Sequence, residues 1–207
     1  MGAHDDASDE QLLVAWKAGD QAAGMALVRR YDRSVARFFA YKLERGPESE
    51  DLAQATFLAV LSGDFRGESS FRTYLFAVAR NQLLRCIRER VRDRQRFDPS
   101  ETSIAALELS PSAVLVVRQR NRLLLLALRR LPVDTQIMLE LHYWEQMKIK
   151  DIAEVLELNI NMVKARMKRG RERLEREMEA LAESKEQLET TRDELSNWAE
   201  RLRNELR

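Results

Sequence analysis

Glycine and proline are scarce in this chain of 207 residues, at 7 and 4. Those counts lie well under the usual shares of roughly 7% and 5%. With few turn formers and abundant Leu, Ala, Glu and Arg, the composition is helical. No glycine lies between Gly67 and Gly170. That gap leaves no place for a loop that cradles a nucleotide phosphate, which excludes P-loop and Rossmann chemistry. Cysteine occurs once, Cys86, and histidine twice, His4 and His142. These cannot build a zinc site or a disulfide framework, so no metal or other cofactor is expected, and a reducing, intracellular compartment fits. The longest uncharged run, Leu52 to Gly63, spans twelve residues, against the roughly 18 that a membrane-spanning helix needs. Asp5 and Asp6 stand near the start where a secretory leader would carry basic residues. The expectation is a cytoplasmic protein with no membrane attachment.

Charge is abundant but almost cancels, at 35 Lys and Arg against 34 Asp and Glu. The cancellation hides a segmental pattern. Net charge runs −4 over residues 1–65, +6 over 66–96, −3 over 97–117, +6 over 118–173 and −4 over 174–207. Two basic segments separated by an acidic one point to two contacts with a polyanion, because each cation placed on a phosphate releases a condensed counterion. Solvated helix faces are the bland alternative.

Apolar periodicity predicts an all-α fold of two small helical domains joined by a linker and followed by a long C-terminal helix. Ser8 or Asp9 starts a helix that Gly19 stops. Asp20 caps a longer one carrying Leu27, Tyr31, Val35, Phe38 and Phe39 at helical spacing and ending at Gly46-Pro47. A third helix runs from about Ser49 to Leu61, and a fourth begins near Ser70. The first domain is thus 8–96. Residues 97–112, acidic and bracketed by Pro99 and Pro111, read as the linker. The second domain, 113–173, opens with Ser112 as N-cap, continues through Leu131-Pro132 and a helix from about Asp134 to Trp144, and closes with two short helices. Those last two, about Ile149 to Leu156 and Ile160 onward, form a helix-turn-helix pattern with Asn159 as cap. Beyond it, over 174–207, leucine recurs every seventh residue from Leu174 to Leu202. The companion position is polar at Lys185 and Arg192, which weakens a self-pairing coiled coil. Packing of the leucines on the same chain or on a partner stays equally open.

The two basic segments carry the chemistry. In a helix-turn-helix the second helix enters the major groove with its early side chains on base edges. Here those are Asn161, Lys164, Ala165, Arg166, Lys168 and Arg169, cations suited to guanine edges and phosphates. Ile152, Ala153, Leu156 and Val163 would hold the two helices together. The loop Phe65-Arg66-Gly67-Glu68-Ser69-Ser70 and the arginine-rich helix after it mix aromatic, guanidinium and hydroxyl groups. Such a mixture suits unpaired bases, which stack on flat side chains while arginines follow the backbone. Phe71 and Phe76 read as core, and Phe65 and Tyr74 as the better candidates for stacking.

In these motifs the chain resembles the extracytoplasmic-function sigma factors of bacterial RNA polymerase. The resemblance spans about Asp9 to Leu174. It rests on Glu50-Asp51-Leu52-Ala-Gln54-Ala-Thr-Phe57, on Phe65-Arg-Gly-Glu-Ser-Ser-Phe-Arg-Thr-Tyr-Leu-Phe-Ala-Val-Ala-Arg-Asn81, on Leu131-Pro132, and on Tyr143 to Leu156 followed by Val163-Lys-Ala-Arg166. It implies a dissociable initiation subunit rather than an enzyme, one that directs core polymerase to promoters and helps melt them. By the resemblance, Glu50, Asp51, Gln54 and Phe57 dock on the clamp helices of the largest polymerase subunit, and the second domain meets the flap region. Phe65, Arg66, Ser69, Ser70, Tyr74 and Asn81 capture a flipped base of the minus-ten element. Asn161, Lys164, Ala165, Arg166, Lys168 and Arg169 read the minus-thirty-five element.

The chain departs from the family pattern at three places. Ala55 stands where the family commonly has Glu, Glu157 replaces a common Gly in the turn, and Asn161-Met162 replaces a common Gly-Thr. Thr56, next to the missing carboxylate, is a candidate for phosphorylation, which adds roughly −1.5 to −2 charges. An anti-sigma factor and a Ser/Thr kinase are accordingly further candidate partners. The rival reading is a helix-turn-helix regulator that binds duplex DNA without polymerase and dimerises through its C-terminal helix. It leaves Glu50 to Asn81 unexplained. A third reading is a sigma-like scaffold that has given up its DNA contacts.

Overall fold

Ser8 opens the first helix, α1 (Asp9–Lys17), by a reciprocal capping box: its hydroxyl accepts from Gln11 N at 3.2 Å while Gln11 Oε1 accepts from Ser8 N at 2.9 Å. Gly19, at φ 101°, turns the chain. The Asp20 carboxylate then caps α2 (Gln21–Ala40) through the N–H groups of Ala22 and Ala23. The computed structural model describes residues 6–43, 47–91, 97–107, 119–184, 187–189 and 191. α2 ends at Ala40, short of the expected Gly46-Pro47, and tightens beyond it, with Lys42 N donating to Phe39 O at 3.0 Å; the Tyr41 and Lys42 side chains are buried. α3 (Pro47–Ser62) begins with proline in its first turn, where a missing N–H costs nothing. α4 (Phe71–Arg90) is capped by Ser70, whose Oγ accepts from Thr73 N at 3.2 Å, and by Glu10 Oε1, which accepts from Phe71 N at 3.3 Å. Leu12, Leu13, Leu27, Val35, Phe39, Val60, Phe71, Leu75 and Leu83 are buried among these four helices.

Part of the expected linker is structured. Residues 97–107 bury Phe97 and Ile104, include a 3-10 turn at Ala105–Leu107 and pair Ser103 with Pro132. The carbonyls of Thr102 and Pro99 accept the N–H groups of Val133 and Asp134, both at 2.9 Å. They satisfy donors that every helix start leaves open. The expected start of the second domain at Ser112 lies outside the described residues. α5 (Gln119–Arg129), α6 (Val133–Tyr143), α7 (Ile149–Leu156) and α8 (Ile160–Leu181) follow. α8 runs unbroken through the expected boundary at residue 173 and packs Leu174 and Met178 inward, with α5 and α6 as its neighbours. A further turn starts where Ser184 Oγ accepts from Gln187 N at 3.1 Å and Gln187 Oε1 accepts from Glu183 N at 2.9 Å, and Leu188 and Thr191 pack against the molecule. The first leucines of the repeat therefore pack on their own chain. Leu195 and Leu202 lie outside the described residues.

The two helical units are in direct contact, with α4 lying against α7 and Tyr41 against Trp144 at 5.0 Å between ring centroids. Around this seam cations of the first domain meet carboxylates of the second. Arg37 and Arg72 both reach Glu145, Arg80 Nε and Nη2 converge on Asp134 Oδ1 at 3.0 and 2.9 Å, and Lys42 meets Glu140. Lys42 is 0% exposed. It also donates to Phe38 O at 2.8 Å and lies 3.9 Å from the centroid of the Phe38 ring. Gln136 Nε2 donates to the other Glu140 oxygen at 2.8 Å. Burial pushes the Lys42 ammonium down and the Glu140 carboxyl up, and each partner's charge opposes that push. Burial also raises Glu145, but Arg37 and Arg72 outweigh it and leave the carboxyl below its ordinary range.

Removing one member of a buried ion pair leaves the other charge uncompensated, at a cost of about 3–5 kcal/mol, whereas apolar replacement of both is often neutral. Lys42→Met should therefore lower the stability seen in urea unfolding by about 3–5 kcal/mol, and Lys42→Met with Glu140→Leu should regain most of it.

Candidate nucleic-acid and polymerase interface

On α3 the side chains of Glu50, Asp51 and Gln54 are exposed, three carboxylate or amide groups on one face of a helix. Phe57 is a correction to the sequence reading: it is 8% exposed and belongs to the hydrophobic core. It follows the spacing of Ala53, Thr56 and Val60, which turns it inward. Thr56 is fully buried too, and its hydroxyl donates to Leu52 O at 2.7 Å. In this conformation Thr56 packs in the core, and a phosphate on it would have to displace that hydrogen bond and bring the hydroxyl to the surface. The sequence reading missed Leu58, which is 64% exposed one turn beyond Gln54. Its signal was an apolar side chain falling off the apolar stripe of α3.

The loop after α3 brings the aromatic candidates together. Phe65 lies 5.2 Å from Tyr74 and 6.4 Å from Phe71 between ring centroids. Gly63 is required there, since a Cβ would fall 2.2 Å from Tyr74 Oη. Gly67, at φ 73°, supplies the left-handed turn that sends the loop back to α4. Lys17 pins the loop from α1 by donating to Gly63 O. Burial, with a smaller contribution from the Asp64 charge, raises the Tyr74 phenol above its ordinary value. It stays a neutral hydrogen-bonding ring at physiological pH. Arg66 is exposed and pairs with Asp64 at 3.1 Å, Ser69 is half-buried and Asn81 is exposed on α4. Ser70 serves as the α4 cap, so its hydroxyl is already engaged.

In the second domain α7 ends at Glu157, which adopts the left-handed conformation at φ 55°. Asn159 then caps α8 by accepting from Asn161 N at 2.8 Å. Ile152, Ala153, Leu156 and Val163 are buried and lock α7 to α8. Asn161, Lys164, Ala165, Lys168 and Arg169 are all exposed. Asn161, Lys164, Ala165 and Lys168 form the outward stripe. Arg166 is half-buried instead. It faces the flank, where Asp98 senses its charge and where Ser100, Glu101, Arg166, Arg169 and Arg173 line a groove. Among the described residues no helix is long and apolar enough to cross a membrane.

Residues 27–99 match the family Sigma-70 region 2, and residues 121–174 match Sigma-70, region 4. The chain is 26% identical over 175 residues to the RNA polymerase sigma-H factor of Pseudomonas aeruginosa, covering 79% of this chain and 90% of that protein. It is 25% identical over 177 residues to the ECF RNA polymerase sigma-E factor of Haemophilus influenzae, covering 80% and 92%. The solved structure of CnrH in complex with the cytosolic domain of CnrY superposes with a TM-score of 0.60 at 25% identity, over 84% of this chain and 99% of that one.

A left-handed conformation costs an L-residue with a Cβ roughly 1–2 kcal/mol. Net of glycine's greater unfolded entropy, Glu157→Gly should stabilise the protein by about 0.5–1 kcal/mol. The rise should appear in the urea midpoint while duplex binding stays unchanged.

Proposed function

The chain belongs to the extracytoplasmic-function sigma factors, and from that premise we propose how its surfaces divide the work of promoter recognition, melting and initiation on core RNA polymerase. One observation carries the reading. A single chain holds an exposed duplex-reading stripe on α8, an aromatic and arginine cluster suited to unpaired bases, and a separate acidic face on α3. A regulator that binds duplex DNA alone has no use for the last two.

Glu50, Asp51 and Gln54, joined by the exposed Leu58, dock on the clamp helices of the largest subunit. Carboxylates and an amide around one apolar side chain make a polar rim with a small apolar centre. The second domain meets the flap region. Phe65, Tyr74 and Asn81, with Arg66 and Ser69 at the loop, hold an extruded base of the minus-ten element between stacking planes and hydrogen-bonding groups. Asn161, Lys164, Ala165 and Lys168 face the minus-thirty-five groove. Arg166, half-buried near Asp98, and the exposed Arg169 both line the flank groove and take phosphates. Work of this kind is binding, not catalysis, and it is done in the cytoplasm, where polymerase and promoter are. The structural relative CnrH is bound by CnrY, which supports a protein partner of the anti-sigma kind for this chain.

Addition of the purified protein to core polymerase should give promoter-dependent transcripts. A chain that binds duplex promoter DNA yet never yields a transcript would be the regulator instead. Lys164→Ala should weaken minus-thirty-five binding by about 1–3 kcal/mol and relax one base pair if it reads a base. Arg169→Ala should weaken all sequences alike and flatten the salt dependence by about one phosphate. Both are measured by fluorescence titration at several salt concentrations. Phe65→Ala with Asn81→Ala should still join polymerase but lose permanganate reactivity at the minus-ten element, and normal strand opening in that variant removes the melting role.

A further inference from the structure

The first turn of α8 carries two side chains that neither the core nor the outward stripe accounts for. Among the described residues the exposed large apolar side chains include Val14, Met25, Leu58, Ile160 and Met162. Apolar residues scattered singly over a surface are ordinary. Ile160 and Met162 are not scattered, since they stand on either side of Asn161 at the start of a helix whose outward stripe is mostly amide and lysine. They are 41% and 46% exposed. Nor does the helix start need them for packing. The staple positions around the Asn159 cap are held by Leu158 and Val163, half-buried and fully buried. Met162 also departs from the family pattern, an unbranched thioether where a small hydroxyl residue is common.

The surroundings fix where these two side chains lie. Asn159 caps the helix by accepting from Asn161 N, and the buried Val163 and Met167 hold its inner face, so Asn161 faces outward. Successive residues turn by about 100°, which puts Ile160 and Met162 on the two shoulders of the stripe. A Cα–Cβ bond in a helix tilts toward the N-terminus. In a helix-turn-helix that is the end whose residues reach the base edges of the major groove. Both side chains therefore lean toward the floor of the groove, where each thymine displays its apolar C5-methyl group. Ile160, β-branched and stiff, suits one fixed methyl, and Met162, with three rotatable bonds, adjusts to its target. The amide of Asn161 between them is the type that pairs with adenine N6 and N7 in the same groove.

We propose that Ile160 and Met162 are specificity residues that contact thymine methyl groups, so that the first turn of α8 selects A·T pairs within the minus-thirty-five element. These roles rest on α8 being the duplex-reading helix, as proposed above. Covering one methyl group removes apolar surface from water and changes affinity by about four-fold. No phosphate is involved, so the contacts carry no counterion release, unlike that of Arg169.

For the test, the full chain, free and assembled with core polymerase, selects from a randomised duplex library. The enriched site is then synthesised with single thymines replaced by uracil, which deletes the methyl and keeps every hydrogen-bonding group. Anisotropy at several salt concentrations reports affinity, and circular dichroism checks the fold of each variant. Uracil should cost the wild type about four-fold at each of two positions. Met162→Ala should bind the thymine site about four-fold more weakly and show no uracil penalty at one of them, and Ile160→Ala should behave alike at the other. Met162→Leu, apolar and of similar volume, should keep most of the preference. The slope of log affinity against log salt should match the wild type in all three variants.

A wild type indifferent to uracil overturns the inference. So does a penalty that survives in both alanine variants, since the methyl is then felt through DNA shape. Alanine variants that weaken every duplex alike overturn it too, in favour of a contact to sugar and phosphate. A library from which neither form of the protein enriches a site removes it together with the duplex role of α8. Transcription from the selected site with core polymerase keeps the sigma reading separate. Thymine dependence without a transcript removes that reading alone, whereas transcripts with no uracil effect remove the methyl contacts alone.

Discussion

Lys42 has no contact with water, and a lysine can stay there only if its ammonium finds an anion that is equally dry. Glu140 is that anion, and it belongs to the other domain. The pair therefore ties the state of each helical unit to the presence of its neighbour. Much else follows from it. Just beyond the end of α2 Lys42 and Tyr41 are buried, Tyr41 O receives Arg129 Nη1 at 3.2 Å, and Gln136 is held on the second Glu140 oxygen. A purely apolar seam would be more adhesive but indifferent to rotation. An ionic one fixes a register, because each misplaced charge would be left bare.

The parts of the fold governed by local chemistry were legible in the sequence. Ser8, Asp20, Ser70 and Asn159 cap helices as their side-chain oxygens dictate, and the helix-turn-helix spacing locates α7 and α8 within a residue or two. What stayed hidden depends on distant partners. Arg37, Lys42 and Arg80 look like solvated charges until Glu145, Glu140 and Asp134 come from about 50 to 110 positions away. Residues 97–107 look like a free linker because their hydrogen bonds run to the backbone at 133–134. Of the candidate site, the exposed stripe of α8 and the loop aromatics lie where the spacing placed them. Phe57 and Thr56 do not, since a motif names residues without saying which face of α3 they take. The cap formed by Ser184 and Gln187 had a readable signature, Ser-x-x-Gln, masked by the leucine periodicity around it.

α8 illustrates how one helix couples two tasks. Its first turns carry the exposed stripe of Asn161, Lys164, Ala165 and Lys168, and its last turns bury Leu174 and Met178 beside α5. A helix of 22 residues is about 33 Å of continuous rod. Gly170 sits where rod and domain come closest, with a Cβ there falling 2.8 Å from Thr135. Leu174 and Met178 thus anchor the far half of the rod to the domain from which its first turns project.

α4 is the more demanding element, because three of its faces are spoken for. Phe71, Leu75, Ala79 and Leu83 face the core of the first domain; Arg72 and Arg80 face the second domain, with Phe76 between Phe38 and a small cavity lined by Glu140, Leu141 and Trp144; Asn81, Arg85 and Arg88 face solvent. Such a helix cannot show a single apolar stripe, which is why its sequence reads as a run of mixed residues rather than as an amphipathic pattern. The same arrangement explains the use of arginine on the second face. A leucine there would leave Glu145 and Asp134 buried without a counterion. An arginine there crosses the seam with charge-assisted hydrogen bonds while its stem packs on the helix, so α4 can serve two packing partners at once.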